Sequence, residues 1–203
     1  MVEAAGVVAT GLGVLMLLVA ARVTPRRREA LLAGAGTAAL ATAFGITWAS
    51  HPASHGFLTL AADYVHLLAA ALWVGGVVAV LITATAASSA PLAARRDIAR
   101  RSILRLSRLA LPTVVVVGLA GVVLAASELP TLNLLFSSAY GITLLVKGAI
   151  VLGALAMGGY LVVPRLEAGA QVETIRMTLA IELGFLLAAL VLAAILNQTA
   201  PPA

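Results

Sequence analysis

The sequence predicts an all-α polytopic membrane protein, a bundle of about six transmembrane helices with both termini on the extracytoplasmic side. The first observation is composition: the 203-residue chain is 62% hydrophobic and 10% charged. A soluble domain is usually about 45–50% apolar and about 25% charged. The second observation is a series of six apolar runs of roughly 20 residues, the length that crosses a bilayer as a helix. The third is that arginines are concentrated in alternate connecting segments.

The six apolar runs account for most of the chain, so residues 1–203 are expected to form a single transmembrane helical domain. Helices are required because lipid offers no hydrogen-bonding partner to the backbone, and the runs are too long and too evenly apolar for barrel strands. The first run is interpreted as a retained helix, since Glu3 precedes it and Arg26 follows it, unlike a signal peptide. The runs lie near residues 4–23, 30–50, 59–86, 106–127, 139–163 and 175–196.

The charge of the connecting segments predicts orientation. The first, third and fifth segments contain arginines, whereas the second and fourth contain neither arginine nor lysine. The positive-inside rule therefore places the first, third and fifth segments in the cytoplasm and both termini outside. This pattern is that of a multi-pass protein of the bacterial cytoplasmic membrane.

Several classes of function have no support in the sequence. The chain has no cysteine, which excludes disulfides, thiolate metal sites and iron–sulfur clusters. The net charge is +5, but arginines that orient a membrane protein explain it better than nucleic-acid binding does. The expected partner is the lipid bilayer, and no catalytic residue set is indicated.

All three histidines of the chain lie close together in the sequence, with an aspartate among them. His51 and His55 fall in the second connecting segment, and Asp63 and His66 share one face near the outer end of the third run. Imidazole and carboxylate groups suit copper(II), zinc or similar ions. The cluster predicts a four-ligand metal site at the outer boundary. The alternative is two ordinary loop histidines and one packed interfacial histidine.

Two ionisable residues fall inside apolar runs, Lys147 in the fifth and Glu182 in the sixth. Charged groups at that depth are costly unless they are paired or hydrated, so each is a candidate functional residue. Glu182 is expected near the inner boundary, within reach of Arg105 or Arg108, and Lys147 nearer the depth of His66. The structural alternative is that such pairs only fix the register of the helices.

Methionines fall in the inner half of the expected bundle, at Met16, Met157 and Met177. Thioethers suit copper(I), so these residues could line an exit path. Methionine is also a common filler of gaps in apolar cores.

Four segments follow one another in a specific order and spacing: DYVHLLAAALWVGG (63–76), RLSRLA (105–110), YGITLLVK (140–147) and IELG (181–184). Through these segments the chain resembles the copper resistance protein D family over about residues 60–203. That resemblance implies copper capture at the outer face and import across the membrane, through Asp63, His66, Lys147 and Glu182, with His51 and His55 as capture ligands. An extracytoplasmic copper-binding protein is an expected kind of partner.

A more distant resemblance is to the membrane protoporphyrinogen oxidase family, whose members carry a histidine some seven residues before a tryptophan and a lysine in a later helix. His66, Trp73 and Lys147 match that pattern. It implies a haem b-binding oxidoreductase with His66 as axial ligand. A non-transporting copper sensor or assembly partner is the third option.

Overall fold

The computed structural model of the chain describes residues 25–48, 56–86, 91–162, 172–199 and 202. Every regular element in these ranges is helical, which confirms the all-α prediction for this part of the chain. The elements are α1 (Pro25–Trp48), α2 (Phe57–Ala86), α3 (Leu92–Glu128), α4 (Leu132–Ser137), α5 (Ala139–Leu155), a π-helical segment that continues α5 (Ala156–Val162), and α6 (Val172–Gln198).

Four of the described helices are long and apolar enough to cross a membrane. They correspond to α2, α3, α5 with the start of its π-helical segment, and α6. The multi-pass membrane fold is therefore confirmed. The expected second run is also helical, as α1, whereas the expected first run lies outside the described residues. The total of six spans and the direction of insertion stay predictions.

Helix α3 begins well before the apolar run that predicted it. The run was expected to start near residue 106, but the helix starts at Leu92 and continues for 37 residues. Alanine, leucine and arginine are strong helix formers, so the arginine-rich segment continues the helix instead of forming a loop. Ala99 and Ile103, one turn apart, are 3% and 2% exposed. Burial of that stripe ties the extra turns to the rest of the protein.

The contacts of the chain divide it into two units, with the boundary between Leu68 and Ala69. In the first unit, α1 and the start of α2 meet through aromatic side chains. The rings of Phe44 and Tyr64 pack edge to face with centroids 5.9 Å apart. The Tyr64 hydroxyl donates a hydrogen bond to the Leu40 carbonyl oxygen at 3.4 Å.

The second unit has an apolar core to which α2, α3, the π-helical segment and α6 all contribute. Its most completely buried members include Val77, Ile103, Val162 and Leu179. Helix α2 comes close to α3 at Gly76, where a Cβ atom would lie 2.5 Å from Cδ1 of Leu106. Small residues at such crossings allow close helix packing in membranes.

Helix α5 begins against the short helix α4, and this contact also requires a glycine. The backbone nitrogen of Gly141 donates to the Ser138 hydroxyl at 2.9 Å, which caps the helix. A Cβ atom on Gly141 would lie 2.6 Å from both the Cα and the carbonyl oxygen of Leu135. These are backbone atoms, so α4 would have to move.

We therefore expect Gly141→Ala to destabilise the detergent-solubilised protein by about 1–3 kcal/mol, the usual cost of overpacking. The matched control is Gly148→Ala in the same helix, where nothing lies within 4 Å of the added methyl group. That control should be neutral or slightly stabilising, because alanine is the better helix former. Thermal unfolding followed by circular dichroism measures both, and equal stability of the two variants would contradict the α4–α5 contact.

Candidate functional site

A buried carboxylate lies in the core of the second unit. Glu182 on α6 is 3% exposed and Trp73 on α2 is 4% exposed. The indole Nε1–H of Trp73 donates a hydrogen bond to Oε1 of Glu182 at 3.0 Å. A hydrogen bond to a charged group is worth about 1.5–3 kcal/mol, which offsets part of the cost of desolvating the carboxylate. Trp73 therefore both holds and orients the acid.

The opposite wall of the carboxylate is formed by a glycine in the π-helical segment. A Cβ atom on Gly158 would lie 2.7 Å from Oε1 and 3.0 Å from Oε2 of Glu182. The neighbouring Gly159 has open space at the same position. Single π-helical turns inside α-helices are frequently found at functional sites. Here the turn packs bare backbone closely against the carboxylate, an approach that a Cβ atom at position 158 would prevent.

The depth of the carboxylate follows from contacts within the second unit. Gly76 contacts Leu106, which lies between Arg105 and Arg108 in the sequence, and Trp73 is three residues from Gly76 on the same helix. At 1.5 Å per residue the Trp73–Glu182 pair lies about 5 Å from the level of those arginines. The carboxylate is therefore about one helical turn inside the boundary that the arginines mark.

The expected ion pair between Glu182 and Arg105 or Arg108 is wrong in the structure. Both arginines are exposed, and Glu182 accepts its hydrogen bond from Trp73 instead. The reason is the direction of the side chains, because Arg108 is nine residues from the buried Ala99 and so lies half a turn out of phase with it. Depth was predicted well enough, but the arginines face away from the core.

The other intramembrane candidates are placed as follows. Lys147 is half-buried on α5, and its expected relation to His66 stays a prediction. Met157 is half-buried in the π-helical segment, directly before Gly158, whereas Met177 is 68% exposed. Met16 lies outside the described residues.

The expected outer metal site is described only in part. Asp63 and His66 are both half-buried on α2, in the first unit, and His51 and His55 lie outside the described residues. Within the part of the chain that the structure describes, no three histidine or acidic side chains group closely enough to hold a metal ion. The four-ligand site therefore stays a prediction.

Trp73 is the residue of this candidate site whose contact with Glu182 was missed from the sequence, where it was noted only for its spacing from His66. The signal was available, because a buried tryptophan usually finds an acceptor for its N–H group. Glu182 was the one acid within the sixth apolar run, and its burial made it the natural acceptor.

Comparison with known proteins identifies one family. Residues 100–196 match the sequence model of the family described as Copper resistance protein D. The match includes Lys147 and Glu182 and confirms the expected resemblance over this part of the chain, whereas the segment 63–76 precedes it. Comparisons with curated proteins and with solved structures found no match.

The hydrogen bond between Trp73 and Glu182 can be tested by a pair of substitutions. Trp73→Phe should destabilise the protein by about 1.5–3 kcal/mol, because it leaves a buried carboxylate without its donor. Adding Glu182→Leu should recover much of that loss, since two apolar partners need no hydrogen bond. Denaturant unfolding in detergent measures both.

The control for that pair is Trp48→Phe, because Trp48 is 60% exposed on α1 and should tolerate the change. If the losses of Trp73→Phe and Glu182→Leu simply add in the double variant, the two side chains are not coupled and the hydrogen bond is contradicted.

Proposed function

We propose that this chain, a copper resistance protein D family member over residues 100–196, captures copper at the outer face of the bacterial cytoplasmic membrane and passes it inward. The observation that carries the proposal is the carboxylate of Glu182, which is buried in the bundle between Trp73 and Gly158. Buried acids in membrane helices usually mark ion or proton pathways. The match to a copper resistance family supports copper as the cargo.

The outer step would use the histidine cluster. Asp63 and His66 are held on one face of α2, and His51 and His55 come from the segment before it. Imidazole and carboxylate ligands favour copper(II), and the sequence places no methionine among them. We infer that the segment with two histidines captures the ion and that the helix receives it. An extracytoplasmic copper-binding protein is the partner that could deliver the ion to this face.

The inner step would use Glu182. Carboxylate oxygens ligate copper(II), so Glu182 would receive the ion, and the π-helical segment would have to shift because Gly158 packs closely against the carboxylate. Lys147, between the two sites in sequence, would tune the passage by its positive charge.

Copper(II) titration of the purified protein tests the outer site. Wild type should bind at pH 7.5 and more weakly at pH 5.5, because imidazole must be neutral to ligate and free histidine has a pKa of about 6.5. His66→Ala should abolish binding, and His51→Ala should weaken it. Asp63→Asn should weaken it as well, whereas the matched control Asp97→Asn, a carboxylate 55% exposed on α3, should not.

Binding by His66→Ala as tight as that of wild type, or binding that ignores pH, would show that the histidines are not the ligands. An absorption spectrum of the same preparation tests the competing function, haem binding. A Soret band that disappears in the His66→Ala variant would show that His66 binds haem and would contradict copper capture. Copper binding without copper uptake into vesicles would contradict transport and favour a role as a copper sensor or assembly partner.

A further inference from the structure

Three arginines on α3 form a stripe on the face opposite the core. Arg101, Arg105 and Arg108 follow the spacing i, i+4, i+7, which places them on one side of a helix. All three are exposed. The buried stripe of the same helix contains Ala99 and Ile103. The arginine stripe is therefore turned away from the rest of the second unit.

The same face continues into the apolar part of the helix. The next positions at this spacing are Pro112, Val115, Leu119 and Val122, and the last three are 51%, 66% and 68% exposed. In the apolar part of α3, only 11% of the residues are buried inside the protein. From Arg108 to Val122 the stripe runs about 21 Å along the helix axis, more than the depth of one leaflet of a ~30 Å hydrocarbon core.

We propose that this face binds an anionic phospholipid, with the phosphate on the arginines and one acyl chain along the apolar continuation. Arginine presents several N–H donors in a fixed fork that matches phosphate oxygens. Along this face of α3, the charged part would contact the lipid headgroup and the apolar part would contact the acyl chain. Asp97 forms an ion pair with Arg101, so Arg105 and Arg108, nearer the boundary, carry most of the contact. This inference does not depend on copper transport.

The helix provides its own control. Arg96 and Arg100 are also exposed on α3, but they lie more than 100° around the helix from the centre of the stripe. They also lie eight or more residues before Arg108, about 12 Å or more farther from the apolar part. Replacing either pair removes the same charge from the same helix.

The experiment titrates the delipidated full chain in neutral detergent with phosphatidylglycerol and counts bound lipids by native mass spectrometry. Arg105→Gln/Arg108→Gln should weaken binding about 25-fold, since each arginine near an anionic surface contributes roughly fivefold. Arg96→Gln/Arg100→Gln should bind close to wild type. Arg105→Lys/Arg108→Lys should bind with an affinity between those of wild type and the Arg105→Gln/Arg108→Gln variant, because the charge is kept and the fork of donors is lost. Circular dichroism checks the folding of each variant.

Equal losses in the two glutamine pairs would overturn the proposal, because net charge and not the stripe would then account for binding. Inorganic phosphate is the second probe. It should not displace the lipid at equal concentration, since it makes no contact with the apolar continuation. If it does, the arginines form a phosphate site and the lipid proposal fails.

Discussion

The hydrogen bond from Trp73 to Glu182 is the constraint on which the second unit depends. A carboxylate that is 3% exposed has lost most of its hydration, and such a group persists only where donors replace water. The donor comes from α2, the acid from α6, and the closely packed backbone of Gly158 from the π-helical segment after α5. Three separate elements therefore have to meet at one level of the bundle, and the apolar core packs around that meeting point.

Glu182 and the arginines of α3 lie at almost the same level of the second unit but face different surroundings. The acid faces the core, where it is desolvated and where the proposed pathway would bring a cation to it. Arg105 and Arg108 are exposed and face away from the core, on the face proposed to bind lipid. Because the arginines face away from Glu182, no arginine of α3 neutralises its carboxylate. A carboxylate already paired with a fixed cation would be less able to bind a mobile cation. An ion pair at this position would compete with the proposed cation for the carboxylate.

The sequence predicted the helical membrane fold because long apolar runs leave few alternatives. The start of α3 was predicted wrongly, because the apolar run begins only after Arg108. The helix itself begins at Leu92, since the preceding residues favour a helix and Ile103 is buried. The π-helical segment left no periodic signal. Glu182 was identified from the cost of burying a charge in the membrane. The predicted ion pair with Arg105 or Arg108 was wrong, because position along the chain gives the depth of a residue but not the direction of its side chain. The histidine site depends on residues that the structure describes only in part.

The central claim, that Glu182 is a step on a copper pathway, is tested most directly by copper uptake into proteoliposomes. The account predicts uptake by wild type above protein-free vesicles. Glu182→Gln should reduce the rate by at least about tenfold, the loss expected when an interaction with a charged group worth about 1.5–3 kcal/mol is removed. The matched control Glu173→Gln, an acid 70% exposed at the start of α6, should transport as wild type does. Wild-type rates in the Glu182→Gln variant would contradict the account.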